Sequence, residues 1–256
     1  MPERTSYAPG TPSWIDIGTD VEAAKQFYGS LFGWDAQDAG PPEETGGYGF
    51  FLKNGKMVAG YGPQQNPGPP FWTTYVSVAD ADATAKKVEQ AGGTVVMAPM
   101  EVMSAGRMAV FQDHQGAFIS AWEPADHRGA QLVNEPGSLS WNELNTRDVE
   151  GSKAFYTAAF GWEAETHEGP MSYTEFKLEG NSIAGCMQMP PMIPAQVPPH
   201  WLVYFAVDDA DATAARVTEL GGAVRMSGMD TPAGRIAVVA DPQGATFAVI
   251  KLAGHS

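Results

Sequence analysis

The sequence lacks the features that direct a protein into an oxidising compartment or a membrane. Among its 256 residues there is one cysteine, Cys186, so no disulfide can form within the chain. No apolar run approaches the roughly 18 residues that a membrane-spanning helix needs, and the N-terminus has no apolar segment of the kind found in signal peptides. We therefore predict a cytoplasmic protein without a membrane partner.

Basic residues are scarce as well. Lys and Arg number 15 against 30 Asp and Glu, and the formal net charge is -15 at pH 7. Binding to nucleic acid or to an anionic membrane surface needs clustered cations, and the sequence has no such cluster. The scarcity of basic residues argues against nucleic acid as the main partner. The composition and length indicate a soluble globular protein of one or two domains.

The chain contains an internal duplication. Residues 13–34 and 140–162 match at 12 of 22 aligned positions, and residues 72–93 and 201–222 match again at 12 of 22. Between the halves lies EPADHRGAQLVNEPG, which is rich in turn-forming residues and has no apolar periodicity. We therefore predict two homologous domains, 10–124 and 137–252.

Each half divides again into a strand, a helix and a run of further strands. In the first half, WIDIGT precedes the helical pattern DVEAAKQFYGSLFG, with Asp20 placed to cap the helix and Gly33 to end it. Strand patterns follow, with Asn54 and Gly55 as a hairpin signal. The same order returns from WTTYVSV onwards and twice more in the second half. The pattern predicts an α+β fold with four such modules.

This order, with FYxxxFGW after the first strand and DxxGA before the last, resembles the vicinal oxygen chelate superfamily of glyoxalases, bleomycin-resistance proteins and extradiol dioxygenases. The nearest likeness is to two-domain glyoxalase-like proteins that are often described as hydroxylases, some of them from aromatic polyketide antibiotic pathways. The resemblance implies tandem βαβββ modules whose curved sheets enclose a cavity, with helices on the convex side.

The resemblance also implies where a metal ion would be held. Metal-using members place a His, Gln or Glu on the first strand of each module and a Glu or His on the last strand. The matching positions here are Trp14, Thr73, Ser120, Trp141, Leu202 and Ala248. None of these six residues is a metal ligand of the family type. We therefore predict no metal site and no other cofactor.

Strand alternation predicts what lines the cavities instead. Residues two apart on a strand share a face, so a cavity that contains Trp14 also contains Asp16, and one that contains Trp141 also contains Glu143. The same rule on the other strands gives an aromatic, sparsely polar lining, as in many small-molecule sites. The predicted ligand-contacting residues are Trp14, Thr73, Phe118, Ser120 and Trp122 in the first domain and Trp141, Asn145, Leu202, Thr246 and Ala248 in the second.

Four residues are the catalytic candidates. A carboxylate that faces an apolar cavity has a raised pKa if it is desolvated, so Asp16 and Glu143 could act as general acid or base near neutral pH. The alternative for these carboxylates is a structural ion pair with Arg107 or Arg235. Tyr75 and Tyr204 could donate hydrogen bonds to a substrate oxygen, or could be core residues.

Two interpretations of Trp14 and Trp141 stay open: each indole fills a former metal cavity, or it stacks on a flat conjugated ligand. The leading prediction is a metal-independent protein, monomeric or homodimeric, that binds a hydrophobic aromatic small molecule of antibiotic or polyketide type. It would act as an accessory or resistance protein or as an acid/base catalyst. The alternatives are a metal-dependent lyase, isomerase or dioxygenase, and a non-catalytic structural or interaction protein with filled cavities.

Overall fold

The computed structural model describes residues 3–65, 67–169 and 172–254. The elements of the first half are β1 (Pro12–Thr19), α1 (Val21–Phe32), β2 (Asp35–Asp38), α2 (Pro42–Thr45), β3 (Gly49–Lys53), β4 (Lys56–Pro63), β5 (Trp72–Ser77), α3 (Ala81–Gln90), β6 (Thr94–Val102), β7 (Gly106–Gln112) and β8 (Phe118–Pro124). Those of the second half are β9 (Leu139–Thr146), α4 (Val149–Phe160), β10 (Glu163–His167), β11 (Tyr173–Leu178), β12 (Asn181–Gln188), β13 (His200–Ala206), α5 (Ala210–Glu219), β14 (Ala223–Thr231), β15 (Gly234–Ala240) and β16 (Thr246–Leu252).

Each half forms one eight-stranded mixed sheet. The first has the order β2-β3-β4-β1-β5-β8-β7-β6, and the second repeats it as β10-β11-β12-β9-β13-β16-β15-β14. Two modules join in each sheet where β1 pairs antiparallel with β5, and where β9 pairs with β13. The predicted α+β fold of tandem βαβββ modules in two homologous domains is confirmed.

The edge strands β2 and β10 were not predicted from the sequence. Their sequences are DAQD and EAETH, which have neither an apolar run nor apolar–polar alternation. All four residues of β2 are exposed, so no buried face exists to leave a pattern in the sequence. These strands form by hydrogen bonding along β3 and β11.

The helices begin and end where the capping residues indicate. Asp20 accepts a hydrogen bond from the backbone of Ala23, and Gly33 ends α1 in the left-handed conformation, as predicted. Helix α4 repeats both features with Asp148 and Gly161. Within the described ranges, no helix combines the length and the apolar character needed to cross a membrane.

The repeated aromatic motifs join the two domains. Tyr28 of α1 donates a hydrogen bond to Asp241 in the second half (3.0 Å), and Tyr156 of α4 donates to Asp113 in the first half (3.1 Å). The tryptophans of the two FGW motifs also donate hydrogen bonds to the opposite domain. Trp34 Nε1 donates to the Gly137 carbonyl, and Trp162 Nε1 donates to the Gly10 carbonyl. The motifs FYxxxFGW and DxxGA therefore stabilise the contact between domains.

Each sheet thus has two different faces. Ile15 and Ile17 of β1 belong to the core on the helix side, which residues of both domains share. The side chains of Trp14, Asp16 and Tyr75 lie on the opposite face, which we call the pocket face.

Candidate functional site

A carboxylate held by tyrosines lies on the pocket face of the first domain. The hydroxyls of Tyr75 and Tyr48 both donate to Oδ2 of Asp16, at 2.9 and 3.1 Å. Trp14 Nε1 donates to the Tyr48 hydroxyl at 3.1 Å, and Thr73 adds a side-chain hydrogen bond to Asp16. Strands β1 and β5 and the residue just before β3 supply this first cluster. The pairing of Asp16 with Thr73 across β1 and β5 fixes its register.

The surroundings of Asp16 make it a proton-exchanging group near neutrality. Burial raises the pKa of Asp16 to about 6, although the hydrogen bonds from Tyr75, Tyr48 and Thr73 oppose the rise. Burial and the nearby Asp16 charge raise the pKa of Tyr48 and Tyr75 well above their ordinary value. The tyrosines therefore remain protonated hydrogen-bond donors, while the carboxyl is the group that can gain or lose a proton.

The second domain contains the same arrangement around Glu143. Tyr204 donates to Oε1 of Glu143 at 2.9 Å, Tyr173 adds a second side-chain hydrogen bond, and Trp141 Nε1 donates to the Tyr173 hydroxyl at 2.9 Å. The Asn145 amide also donates to Glu143 Oε1, at 3.4 Å. Burial raises the pKa of Glu143 as well. One network has been kept in both copies of the duplication.

Sequence reasoning missed Tyr48 and Tyr173. Each tyrosine stands twelve residues before a glycine of a repeated Ala-Gly pair, Gly60 and Gly185, and that spacing was the available signal. A Cβ at Gly60 would overlap the Tyr48 hydroxyl, and one at Gly185 would overlap the Tyr173 hydroxyl. The glycines on β4 and β12 thus leave the space that lets each tyrosine reach its carboxylate.

The alternative of a structural ion pair for the carboxylates is wrong. Arg107 instead forms salt bridges with Asp82, Glu101 and Glu123. Arg235 pairs with Asp211 and Asp230. Neither arginine contacts either cluster, so the tyrosines are the partners that make burial of the carboxylates tolerable.

The other predicted lining residues differ in accessibility. Leu202, Tyr204 and Ala248 are buried and pack together with the half-buried Trp141. In the first domain Ser120 and Trp122 are buried, whereas Phe118 is exposed; Thr246 is half-buried in the second.

The segment 125–133, which we call the strap, covers the Trp14 end of the first cluster. At one end the His127 amide donates to the Ala105 carbonyl, and at the other the Ala130 amide donates to the Ser13 carbonyl. The His127 ring meets Trp14 edge to face, with 4.4 Å between centroids. Trp14 is only 2% exposed under this cover, whereas Trp141 is half-buried. From the sequence, the strap was predicted only as a connection between the domains.

The donors on the pocket faces do not fit the divalent ion that the fold family implies. Each cluster has one carboxylate, and its other polar groups are protonated phenols, an indole N–H and one neutral side chain, Thr73 in the first and Asn145 in the second. This set lacks the His and the second carboxylate of the family's metal sites. Across the described ranges, no group of three or more His, Cys, Asp or Glu side chains is placed to hold a metal.

Comparison with known proteins identifies the family of the chain. The Glyoxalase/Bleomycin resistance protein/Dioxygenase superfamily matches residues 17–121 and 137–249. The chain is 45% identical over 260 residues to "Putative glyoxylase CFP32" of Mycobacterium tuberculosis (strain CDC 1551 / Oshkosh), covering 98% of each chain. It is 41% identical over 265 residues to the anthracycline biosynthesis protein DauV of Streptomyces sp. (strain C5), covering 97% of this chain and 95% of the relative.

The fold is similar to that of a Mn(II)-bound glyoxalase from Novosphingobium aromaticivorans. The TM-score is 0.64 at 16% identity, over 96% of this chain and 85% of the other. At that identity the likeness concerns the fold alone. With the family match over both halves, the chain belongs to the glyoxalase/bleomycin resistance protein/dioxygenase superfamily.

Proposed function

We propose that the protein binds a hydrophobic, aromatic small molecule of antibiotic or polyketide type on its pocket faces without a resident metal ion. It would serve as an accessory or resistance protein for such a compound, or as an acid/base catalyst acting on it. The observation that carries the proposal is the Trp–Tyr–carboxylate–Tyr cluster, which is present on the pocket face of both domains. The likeness to an anthracycline biosynthesis protein supports the ligand class.

The cluster suits an aromatic ligand that carries hydroxyl groups. A carboxylate offers about four acceptor sites, so Asp16 can accept a ligand hydroxyl in addition to its tyrosines. With its pKa raised to about 6, Asp16 is also placed to exchange a proton with an acidic phenol near neutral pH. The surrounding rings supply apolar contact area.

A structural protein with filled cavities is the second candidate, because Trp14 is almost completely buried beneath His127. Two surface depressions, both bordered by Lys53 and Pro136, lie away from both clusters. The half-buried Trp141 and the exposed Phe118 favour binding instead, since each leaves aromatic surface accessible on a pocket face.

Titration with 1,4-dihydroxyanthraquinone tests the proposal. We expect quenching of tryptophan fluorescence and a saturable binding curve by equilibrium dialysis, with weaker quenching and weaker binding in Trp14→Ala or Trp141→Ala. Absence of saturable binding in the wild-type protein would favour filled cavities. Stoichiometric Mn, Zn, Ni or Fe in protein purified without chelator, with glyoxalase or dioxygenase turnover, would instead support a metalloenzyme.

If the protein is a catalyst, the carboxylates decide the rate. Asp16→Asn and Glu143→Gln would each keep the fold but lose the acid/base group, and a loss of about 100-fold or more is typical for such a group. Turnover that survives in the double variant would exclude the two carboxylates as the acid/base groups.

A further inference from the structure

The two pocket faces differ beside their carboxylates. On β9 the Asn145 amide lies against Glu143 and donates to it, and Leu202 is buried at the paired position on β13, so Glu143 is buried. On β1 the residue that matches Asn145 is Gly18, which has no side chain to cover Asp16. Asp16 and Gly18 are both half-exposed. The first carboxylate is therefore less covered by side chains on this side than the second.

An exposed aromatic pair borders this less covered side. Phe71 is 43% exposed and Phe118 38% exposed, and their rings lie 5.9 Å apart at 33°. Phe118 lies two residues before the buried Ser120 on β8, and Phe71 lies two residues before Thr73, which hydrogen-bonds to Asp16. Alternation places both rings on the pocket face beside Asp16. Exposed aromatic surface next to a polar group is typical of a ligand entrance.

The opposite end of the first cluster is closed. There the strap and its His127 ring cover Trp14, and the Trp122 indole donates a hydrogen bond to the His127 carbonyl at 2.7 Å. A ligand that reaches Asp16 without displacing the strap would approach from the side of Phe71 and Phe118. In the second domain the matching positions are His200 and Thr246, so that domain lacks the aromatic pair.

We propose that Phe71 and Phe118 are the entrance and specificity-determining residues of the first pocket, which takes a planar phenol edge first so that the phenol hydroxyl donates to Asp16. This rests on the proposed function and assigns the recognition of hydroxylated aromatics to the first domain. Both tyrosines donate to Oδ2 of Asp16, which leaves acceptor capacity on the carboxylate for the ligand. Binding in this way changes no covalent bond.

A residue exchange between the domains tests the inference. The variant Phe71→His/Phe118→Thr gives the first domain the residues of the second, and His200→Phe/Thr246→Phe is the matched control. Isothermal titration would compare 2-hydroxyanthraquinone with 2-methylanthraquinone, which have similar size. The wild-type protein should prefer the hydroxyl compound by about fivefold, the contribution of one net hydrogen bond. The first variant should bind both compounds about tenfold more weakly, since two aromatic contacts are lost.

Asp16→Asn separates the role of the aromatic pair at the entrance from the role of the carboxylate that accepts the ligand hydroxyl. It should reduce the preference for the hydroxyl compound while affinity for the methyl compound stays the same. If Phe71→His/Phe118→Thr binds both compounds like the wild-type protein and Trp141→Ala abolishes binding, the inference is wrong but the proposed function stands. If the wild-type protein binds neither compound, both are wrong. All these substitutions lie at accessible positions, and thermal unfolding checks that each variant is folded.

Discussion

At the scale of single residues, the site depends on a buried acid whose hydrogen-bond donors are neutral. Tyr48 and Tyr75 can stabilise a charged Asp16 only through hydrogen bonds, and these do not outweigh the cost of burial. A metal ion or an arginine would lower the pKa of the same carboxyl. A carboxyl whose only close partners are neutral hydrogen-bond donors therefore keeps a raised pKa.

Asp16→Asn should make the protein more stable at alkaline pH. The pKa of Asp16 is about 6 in the fold against 3.8 as the ordinary value, so the folded state binds more protons between these values. This group's contribution to stability therefore falls as pH rises from about 4 to 6 and stays low above that. We expect the variant to gain up to about 3 kcal/mol at pH 8 and nothing at pH 4, since one pKa unit corresponds to about 1.4 kcal/mol. Urea unfolding at both pH values measures the difference; a gain that is the same at both would contradict the assignment.

The stability gained in His127→Phe should depend on pH in the opposite way to that gained in Asp16→Asn. Burial lowers the pKa of His127 to about 4 from the ordinary 6.5, so the unfolded chain binds more protons between these values. The contribution of His127 to stability therefore falls as pH falls from 6.5 towards 4, and the variant lacks this loss. Phenylalanine keeps the ring contact with Trp14, so we expect the variant to gain melting temperature at pH 5 relative to pH 8. A gain of the same size at pH 5 and pH 8 would contradict the assignment to the buried imidazole.

At the scale of strands, alternation was enough to predict one side of each cluster. Strand β1 has eight residues, and its two isoleucines face the helices. The burial of these isoleucines alone therefore determined which side chains of β1 lie on the pocket face. Tyr48 and Tyr173 could not be placed in the same way. Tyr48 precedes β3, and its position depends on a glycine on the neighbouring strand rather than on its own alternation. The strap was unpredictable because no periodicity describes a segment held by backbone hydrogen bonds.

Gly60→Ala should break the first cluster although none of the residues of the cluster is replaced. The new methyl group would overlap the Tyr48 hydroxyl, so the tyrosine must move and lose its hydrogen bonds with Trp14 and Asp16. We expect a loss of about 1–3 kcal/mol in the free energy of unfolding, as for other buried polar groups left without partners. Gly18→Ala is the control on the neighbouring strand, because its Cβ would meet the nearest atom at an ordinary 3.6 Å. Equal losses in the two variants would show that the tyrosine is not the cause.

At the scale of the whole molecule, the duplication produced a reciprocal pair of domains. One apolar core combines the first module of the first domain with the second module of the second domain, and another core combines the remaining two modules. Thr74 of β5 also donates a hydrogen bond to Asn142 of β9 at 2.9 Å, close to where the two sheets meet. Each pocket face is therefore supported from behind by the opposite domain.

Because the cores are shared, the two domains should unfold together. We expect a single calorimetric transition with equal calorimetric and van't Hoff enthalpies, despite two sheets and two sites.

Tyr28→Phe and Tyr156→Phe should each lower the melting temperature and keep that single transition. Each removes a donor to the other domain and leaves Asp241 or Asp113 without that bond, at a cost of about 1–3 kcal/mol. Tyr61→Phe is the control, since its hydroxyl binds the exposed Asp38 within the first domain and its loss should cost about 1 kcal/mol or less. If either interface variant splits the transition into two, the domains are independent folding units and the shared cores do not determine stability.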